Sequence, residues 1–451
     1  MGLDWVRSSR DGSERLVEQP PLPALPPGTP AAGARLWVDT RRRFQPLEGF
    51  GGAFTEAAAT TWLRLSGAQR EAFLRDCFDP ATGHGYVLCR VHMNSCDFSL
   101  GNYTHVEQHG DVELESFSIA RDREALLPMI QAAHRVGAAG GRALKLLVSP
   151  WSPPPWMKDS GRMNEGGRLL PEYRAAWAQC YVRFIQAYAD EGVPVWGVSV
   201  QNEPEAHQRW DSCLYSAEEE RDFVRDHLGP ALHAAGLGHV RIVVWDHNRD
   251  AMVERASVIY ADAEAAKYVW GTGFHWYVED HFDHVQLVHD AWPDKQLLFT
   301  EGCQEGGPHW GRWEVAERYA RSMINDLNRW TVGWIDWNLL LDEHGGPNHV
   351  GNYCSAPVLA VPEQDALHQQ PSYAAIGHFA RYVQPGAERV LAAATRERLE
   401  CTAFANPDGS VAVVALNRGD EWLSFTLTLD GTAHAAELPP HAIATFVAAP
   451  R

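Results

Sequence analysis

From Leu47 to about Tyr382, short apolar runs alternate with longer segments in which apolar residues recur every three or four positions. Eight of the short runs read as strands: LEGFGG (47–52), GYVLCRV (85–91), ALKLLVS (143–149), VWGVSV (195–200), RIVVWD (241–246), VWGTGFH (269–275), LLFTEG (297–302) and VGWIDWN (332–338). Most are continuously apolar rather than alternating, the pattern of strands covered on both faces. Between them, residues 171–190 place Tyr173, Trp177, Cys180, Phe184 and Tyr188 three or four apart behind a helix-starting Pro171. Helical spacing makes this aromatic stripe a core face rather than a sugar platform. Residues 217–228 read as another helix, with Ser216 as its cap and Glu219 at capping-box spacing. Eight β/α alternations predict an α/β fold, a (β/α)8 barrel.

The flanks follow a different rhythm. The proline-dense PPLPALPPGTP (20–30) reads as an extended connector between two strand-like pieces, ERLVEQ (14–19) and ARLWVD (34–39). After the barrel, VAVVALN, LSFTLTL and IATFVA are separated by the turn sequences PDG, RGDE and DGT, which predicts an antiparallel β-sandwich. The N-terminal strands have no other partner and are expected to join it. The expected division is residues 1–46 (N-terminal strands of the sandwich), 47–385 (barrel) and 386–451 (C-terminal sandwich).

Composition narrows the function. With 451 residues, 45% hydrophobic and 22% charged, the chain buries a large core. Thirty-nine Lys+Arg against 58 Asp+Glu give a formal charge of −19, which repels phosphate backbones and anionic lipid surfaces. No nucleic-acid partner and no membrane insertion are expected, since no 18-residue apolar segment exists. The first residues lack the basic stretch and apolar run of a signal peptide. The expected location is therefore cytoplasmic, and secretion would require a leader missing from this chain. The eight cysteines are scattered without a CxxC and read as buried thiols.

Catalytic groups of such barrels project from the C-terminal ends of the strands. Those ends carry Arg90, Asn94 and Asp97 after strand two, Trp151 after strand three and Gln201-Asn202-Glu203-Pro204 after strand four. Strand six leads into His275-Trp276-Tyr277, strand seven into Thr300-Glu301-Gly302 and strand eight into Asp336-Trp337-Asn338. A lone Glu at a strand end most often pairs with an Arg or caps a helix. Two of them among Trp, Tyr, Asn and His are what glycoside cleavage needs: one carboxylic acid to protonate the departing oxygen, one carboxylate to meet the oxocarbenium-like centre. Aromatic faces suit sugar C–H faces, and Asn and Asp suit hydroxyls.

The segments EGFGGAFTEAAA (48–59), RVHMNSCDFSLGNYTH (90–105), SPWSPPPWMK (149–158), QNEP (201–204), RDFVRDHLGP (221–230), FHWY (274–277), TEGC (300–303) and GWIDWNLLLDEHGGPNHVGNY (333–353) occur in that order. Together they resemble glycoside hydrolase family 30, in its glucosylceramidase-like branch. The resemblance implies a retaining β-glycosidase acting on terminal β-D-glucosyl linkages, with Glu203 as general acid/base and Glu301 as nucleophile. It implies that Arg90 keeps Glu301 ionised and that Asn202 meets the sugar's 2-hydroxyl. It sets Asp97 and Trp337 on the glycone, Trp151 and Asn352 around it, and His275 and Tyr277 beside the nucleophile. On this reading Arg90 lowers the pKa of Glu301, and the Glu301 charge raises that of Glu203.

Two segments depart from the branch's pattern, CQEGGPHWGRW (303–313) and EAHQRWDSCLYS (205–216). Both fall on the leaving-group side, which leaves a lipid aglycone open. Cleavage of β-1,6-glucan or a β-xyloside stands as an alternative within the same chemistry, and a non-catalytic carbohydrate-binding barrel as one of another class. Retaining glycosidases need no cofactor, and none is expected. Asp246-His247 and His275 lack the spacing of a metal motif, and GTGFHW (271–276) lacks the third glycine of a dinucleotide loop. The expected partner is a carbohydrate or glycolipid substrate.

Overall fold

The computed structural model describes residues 2–12 and 15–450, so Glu14 of the predicted ERLVEQ strand lies outside the described residues. Eight parallel strands close into a barrel: β1 (Gly49–Phe54), β2 (Leu88–Met93), β3 (Lys145–Pro150), β4 (Val195–Ser199), β5 (Arg241–Asn248), β6 (Val269–His275), β7 (Gln296–Glu301) and β8 (Thr331–Asn338). Each falls on one of the eight predicted runs. Inside, Leu88, Leu147, Val243, Leu298 and Ile335 pack into an apolar plug. Two positions further along β2 and β3 the inward residues become Arg90 and Ser149, both fully buried. The period of two thus carries the barrel interior from a packed core to a polar floor.

The outer helices cover the barrel. Arg174–Asp190 buries Trp177, Cys180, Phe184 and Tyr188, the face read as core from the sequence. The Ser216–Glu219 capping box is formed, and the helix it opens continues from Phe223 into one π-type turn, Val224–Leu228. Among the described residues no helix is long and apolar enough to cross a membrane.

The second body is a nine-stranded sheet that interleaves both ends of the chain. Leu3–Ser9 lies antiparallel against Ala442–Ala448 and Val17–Leu22, while Ala34–Pro46 lies between Glu388–Ala394 and Leu423–Leu429. Two details differ from the sequence reading. The pair Ala34–Pro46 with Leu423–Leu429 is parallel, so the sheet is not purely antiparallel. The proline-rich connector begins as a strand: Pro20 and Pro21 sit in Val17–Leu22, an edge strand where a missing N–H faces no neighbour. Barrel and sheet are stitched by His378 on the helix Pro371–Ala380, whose ring nitrogens lie 2.9 Å from Thr445 Oγ1 and 2.9 Å from Ser8 Oγ. Burial pushes this imidazole down to about 3, so it joins the two bodies in its neutral form.

Candidate active site

The polar floor is built around Arg90, which is fully buried. Its Nε donates to Ser149 Oγ at 2.9 Å, Nη1 to Glu301 Oε2, and Nη2 to Asn202 Oδ1 and Asp246 Oδ2, each at 2.8 Å. The guanidinium also lies over the ring of Trp151, 4.7 Å from its centroid. Five donors in a fixed fork let one side chain hold the ends of β3, β4, β5 and β7 together, a task a lysine would not perform.

Asp246 is the second hub, and the sequence considered it only as a metal ligand. Its Oδ2 also accepts from Ser199 Oγ at 2.6 Å, and its Oδ1 faces His275 Nε2 at 3.1 Å. Burial opposes its charge, but Arg90, His275 and Ser199 hold the carboxyl far below the usual carboxylate range. His275 turns its other nitrogen, Nδ1, to Glu203 Oε1 at 3.1 Å. Burial opposes protonation of His275 as well; the charge of Glu301 and its hydrogen bonds to Asp246 and Glu203 win and raise it to about 9. The sequence signal for Asp246 existed, since it ends RIVVWD at a strand terminus as Glu203 and Glu301 do.

The backbone pays for this convergence with strain. Glu203, Trp245 and Asp246 all adopt positive φ, at 48°, 70° and 51°. Left-handed non-glycine residues cost on the order of 1–3 kcal/mol each and persist where surrounding contacts over-determine them. Here the Glu203 N–H donates to the Asp246 carbonyl at 3.0 Å, and a register shift in β5 between Trp245 and His247 re-aims the Asp246 side chain. Gly302, directly after Glu301, is fixed by close approach: a Cβ there would stand 2.6 Å from Phe299 and 2.7 Å from Trp276.

Above the floor opens a cavity of ≈ 230 Å³. Glu203, Glu301, Asp97, Trp151, Asn202, Tyr277, Trp337 and Asn352 line it, while Arg90 and His275 lie beneath. Trp151 and Trp337 stack at 5.1 Å, and Asp97 Oδ2 accepts from Asn352 Nδ2 at 3.0 Å. Burial pushes the Asp97 carboxyl well above its usual value, with the Asn352 hydrogen bond opposing. The Tyr277 hydroxyl donates to Glu301 Oε1 at 2.9 Å. Other strand-end candidates point elsewhere. Asn94 holds loops through Ser152 and His105, and Trp276 packs against Phe299 and Tyr319. Asp336 accepts from Tyr319 at 2.7 Å and is pushed up to about 8 by burial. Lining residues that the sequence did not single out are Gln208, Trp210, Asn248, Cys303, Glu305 and Cys354; His247, weighed there only as a metal ligand, lines it too. All lie in loops or at strand ends, where no periodic pattern marks them.

The expected order of the two glutamates is reversed. Burial works to raise both. On Glu203 the charges of His247, His275 and Arg90 overcome it and hold the carboxyl below its usual value. On Glu301 burial and the charge of Glu203 outweigh His275 and Arg90, and the carboxyl sits above it. The sequence reading gave Glu301 its arginine but did not foresee that His275 hydrogen-bonds Glu203. One donor atom each from Glu203, His275 and Glu301 falls within 4.8 Å of the other two. Such a trio has metal-ligand spacing, but both His275 nitrogens already face carboxylates, which fits an imidazolium rather than a lone-pair donor.

Comparison with known proteins gives a consistent picture. The model of the glycosyl hydrolase family 30 TIM-barrel domain matches residues 47–383, and that of the family's beta sandwich domain matches residues 386–446. The lysosomal acid glucosylceramidase of Mus musculus is 35% identical over 416 residues, 88% of this chain and 79% of that protein. The crystal structure of SrfJ from Salmonella typhimurium superposes with a TM-score of 0.94 at 36% identity, covering all of both chains. The endo-β1,6-glucanase BT3312 superposes with a TM-score of 0.89 at 27% identity over 99% of each chain.

Proposed function

The chain belongs to glycosyl hydrolase family 30 and is a glycosidase whose substrate is a carbohydrate or glycolipid; from that premise we propose that it removes terminal β-D-glucosyl units with retention, Glu203 acting as general acid/base and Glu301 as nucleophile. The observation that carries this reading is the approach of the two carboxyl groups, one oxygen of each within 4.8 Å of the other. Inverting pairs stand about 6.5–9.5 Å apart to admit a water, whereas retaining pairs stand about 5–5.5 Å apart.

Charge supports the roles. Arg90 and an imidazolium at His275 face the carboxylates of Asp246, Glu203 and Glu301 in a buried space. Two cations against three carboxylates leave one excess negative charge, and burial favours cancelling it with one proton on the glutamate pair. Burial and the neighbouring charge of Glu203 raise Glu301, while His275 and Arg90 lower it. Catalysis needs the one proton on Glu203 and the charge on Glu301, and His275 Nδ1, 3.1 Å from Glu203 Oε1, orients the acid. Glu301, ionised and held by Arg90 and Tyr277, attacks the anomeric carbon. Glu203 protonates the leaving oxygen, then deprotonates the water that releases the sugar. Proton NMR of the first-formed sugar tests this: the β-anomer is expected from a β-glucoside, and an initial α-anomer would exclude the mechanism.

The exo reading rests on Asp97, Asn352, Trp151 and Trp337, which surround the glycone in this proposal. A carboxyl there bonds two adjacent sugar hydroxyls, and leaving a buried polar partner unsatisfied costs about 1–3 kcal/mol. Internal cleavage of β-1,6-glucan is the competing reading, favoured by the likeness to BT3312. Glucose as the sole first product from a β-1,6-linked oligosaccharide supports exo action; longer first products overturn it.

A further inference from the structure

Two of the eight cysteines share the wall of the catalytic cavity. Cys303 follows Glu301 by two residues on the β7 loop, and Cys354 follows Asn352 by two on the β8 loop; both line the cavity. Both side chains belong to the same buried cluster in the cavity wall. The Tyr277 hydroxyl, which donates to Glu301, also reaches Cys303 Sγ at 3.6 Å. The two loops are tied together by main chain: Glu305 bridges Cys354 in antiparallel fashion, and the Ser355 N–H donates to the Gln304 carbonyl at 2.8 Å. The thiols are therefore held side by side by the backbone. None of the mechanism above uses them.

We propose that Cys303 and Cys354 form a dithiol site for a soft thiophilic electrophile, such as a trivalent arsenical, which bridges the two sulfurs inside the active-site cavity and blocks turnover.

The ladder argues for a bridging ligand over a disulfide. Because Glu305 lies opposite Cys354, Cys303 lies diagonal to it, and diagonal neighbours stand about 7–8 Å apart at Cα. A disulfide tolerates at most about 7 Å without moving the backbone. A bridging atom with bonds of roughly 2.3 Å to each sulfur spans a wider gap. Protonation argues the same way. The neighbouring Cys354 thiol and burial hold Cys303 well above the usual thiol value, so it offers little of the thiolate that attacks peroxide. An arsenical condenses with thiols without any redox change. With phenylarsine oxide, two As–S bonds form, the As–O bond breaks, and the two thiol protons leave with the oxygen as water. Cys77 and Cys89 likewise share one buried cluster, but neither lines the catalytic cavity.

Phenylarsine oxide titrated against the intact protein is the test. The expected result is one adduct per chain by intact mass, with activity lost in step. 1,2-Ethanedithiol should reverse both changes and a monothiol at equal thiol concentration should not. Cys354→Val, which keeps an apolar side chain of similar size, should lose the adduct and raise the inhibitory concentration at least tenfold. Peptide mapping of the wild-type adduct keeps the test decisive if that variant does not fold. No adduct, an adduct on other cysteines, or full reversal by the monothiol overturns the proposal. An adduct at Cys303 and Cys354 that leaves turnover intact overturns the blocking half alone and would also count against this cavity as the catalytic one. Failure of the dithiol chemistry leaves the glycosidase reading untouched.

Discussion

The floor and the rim of the cavity are built on opposite principles. On the floor, Arg90, Asp246, His275 and Asn202 are buried at strand ends, and their polar atoms are spent on one another. On the rim, Gln208, Trp210 and Glu305 come from loops, are partly or largely exposed, and spend no side-chain hydrogen bond among the described residues. A satisfied, buried network holds reacting groups in one geometry and resists change, because removing one partner leaves another unpaired. A rim of unspent side chains costs little to alter. The chemistry of this enzyme is accordingly fixed by the barrel, and its choice of leaving group is free to vary in the loops.

That contrast is open to attack from the floor upward. The largest effect belongs to Glu301→Ala, which should cut turnover by on the order of 10⁴-fold or more, with azide restoring an α-glycosyl azide product. Its companion Glu203→Ala should retain activity on dinitrophenyl glucosides far better than on poor leaving groups; equal losses on both would contradict its role.

Asp246→Asn comes next. It leaves Arg90 and His275 short of a counter-charge and should cost roughly 3–5 kcal/mol in chemical denaturation, along with most of the activity. A loss of less than about 1 kcal/mol in this variant would mean that the floor is no network. The same pairing has a pH signature. The His275 pKa is raised in the folded state to about 9 from about 6.5, so its stabilising contribution is complete below pH 6.5 and is lost as pH rises toward 9. Nitrogen-15 NMR of the ring should report an imidazolium at pH 7.5; a neutral ring there would remove the second cation of the floor.

Asp97→Ala separates a sugar ligand from a loop clasp. As a ligand it should lower kcat/KM by about 10- to 100-fold, ~1–3 kcal/mol, with little change in Tm. If activity holds while Tm falls, Asp97 serves only Asn352. The smallest effect is expected at the rim: Trp210→Ala should change kcat/KM for an aryl glucoside by about threefold at most, within the ±0.5 kcal/mol typical of surface substitutions. A hundredfold loss there would erase the distinction between floor and rim.

The same division explains what the sequence made legible. The barrel strands were readable because two-sided burial writes itself as continuous apolar runs, and Glu203 and Glu301 were readable because strand ends are where barrels do chemistry. Asp246 ended such a strand as well, but its partners are Arg90 on β2 and His275 on β6, and no spacing along the chain announces a contact across a barrel. The left-handed turns at Glu203 and Asp246 are likewise invisible, since both residues are ordinary in composition and strained only by where they must point. The titration order of the two glutamates was misread for the same reason: it depends on which carboxylate His275 touches. The edge strand through Pro20 and Pro21 escaped notice because prolines there read as a break in pairing, when an edge needs only one side to pair.

The interleaving of both chain ends in one sheet has a consequence for biosynthesis. Leu3–Ser9 leaves the ribosome almost a full chain ahead of Ala442–Ala448, against which it pairs, and Ala34–Pro46 likewise precedes both of its neighbours, Glu388–Ala394 and Leu423–Leu429. Through nearly all of translation these early strands expose unsatisfied edges while the barrel between them takes shape. The sheet closes only once Ala442–Ala448 is released, and Thr445 of that strand then docks His378 of the barrel together with Ser8 of Leu3–Ser9. The nascent chain thus carries these strands unpaired on one edge until partners several hundred residues downstream emerge, and its yield in the cell should depend on whatever shields those edges in the meantime.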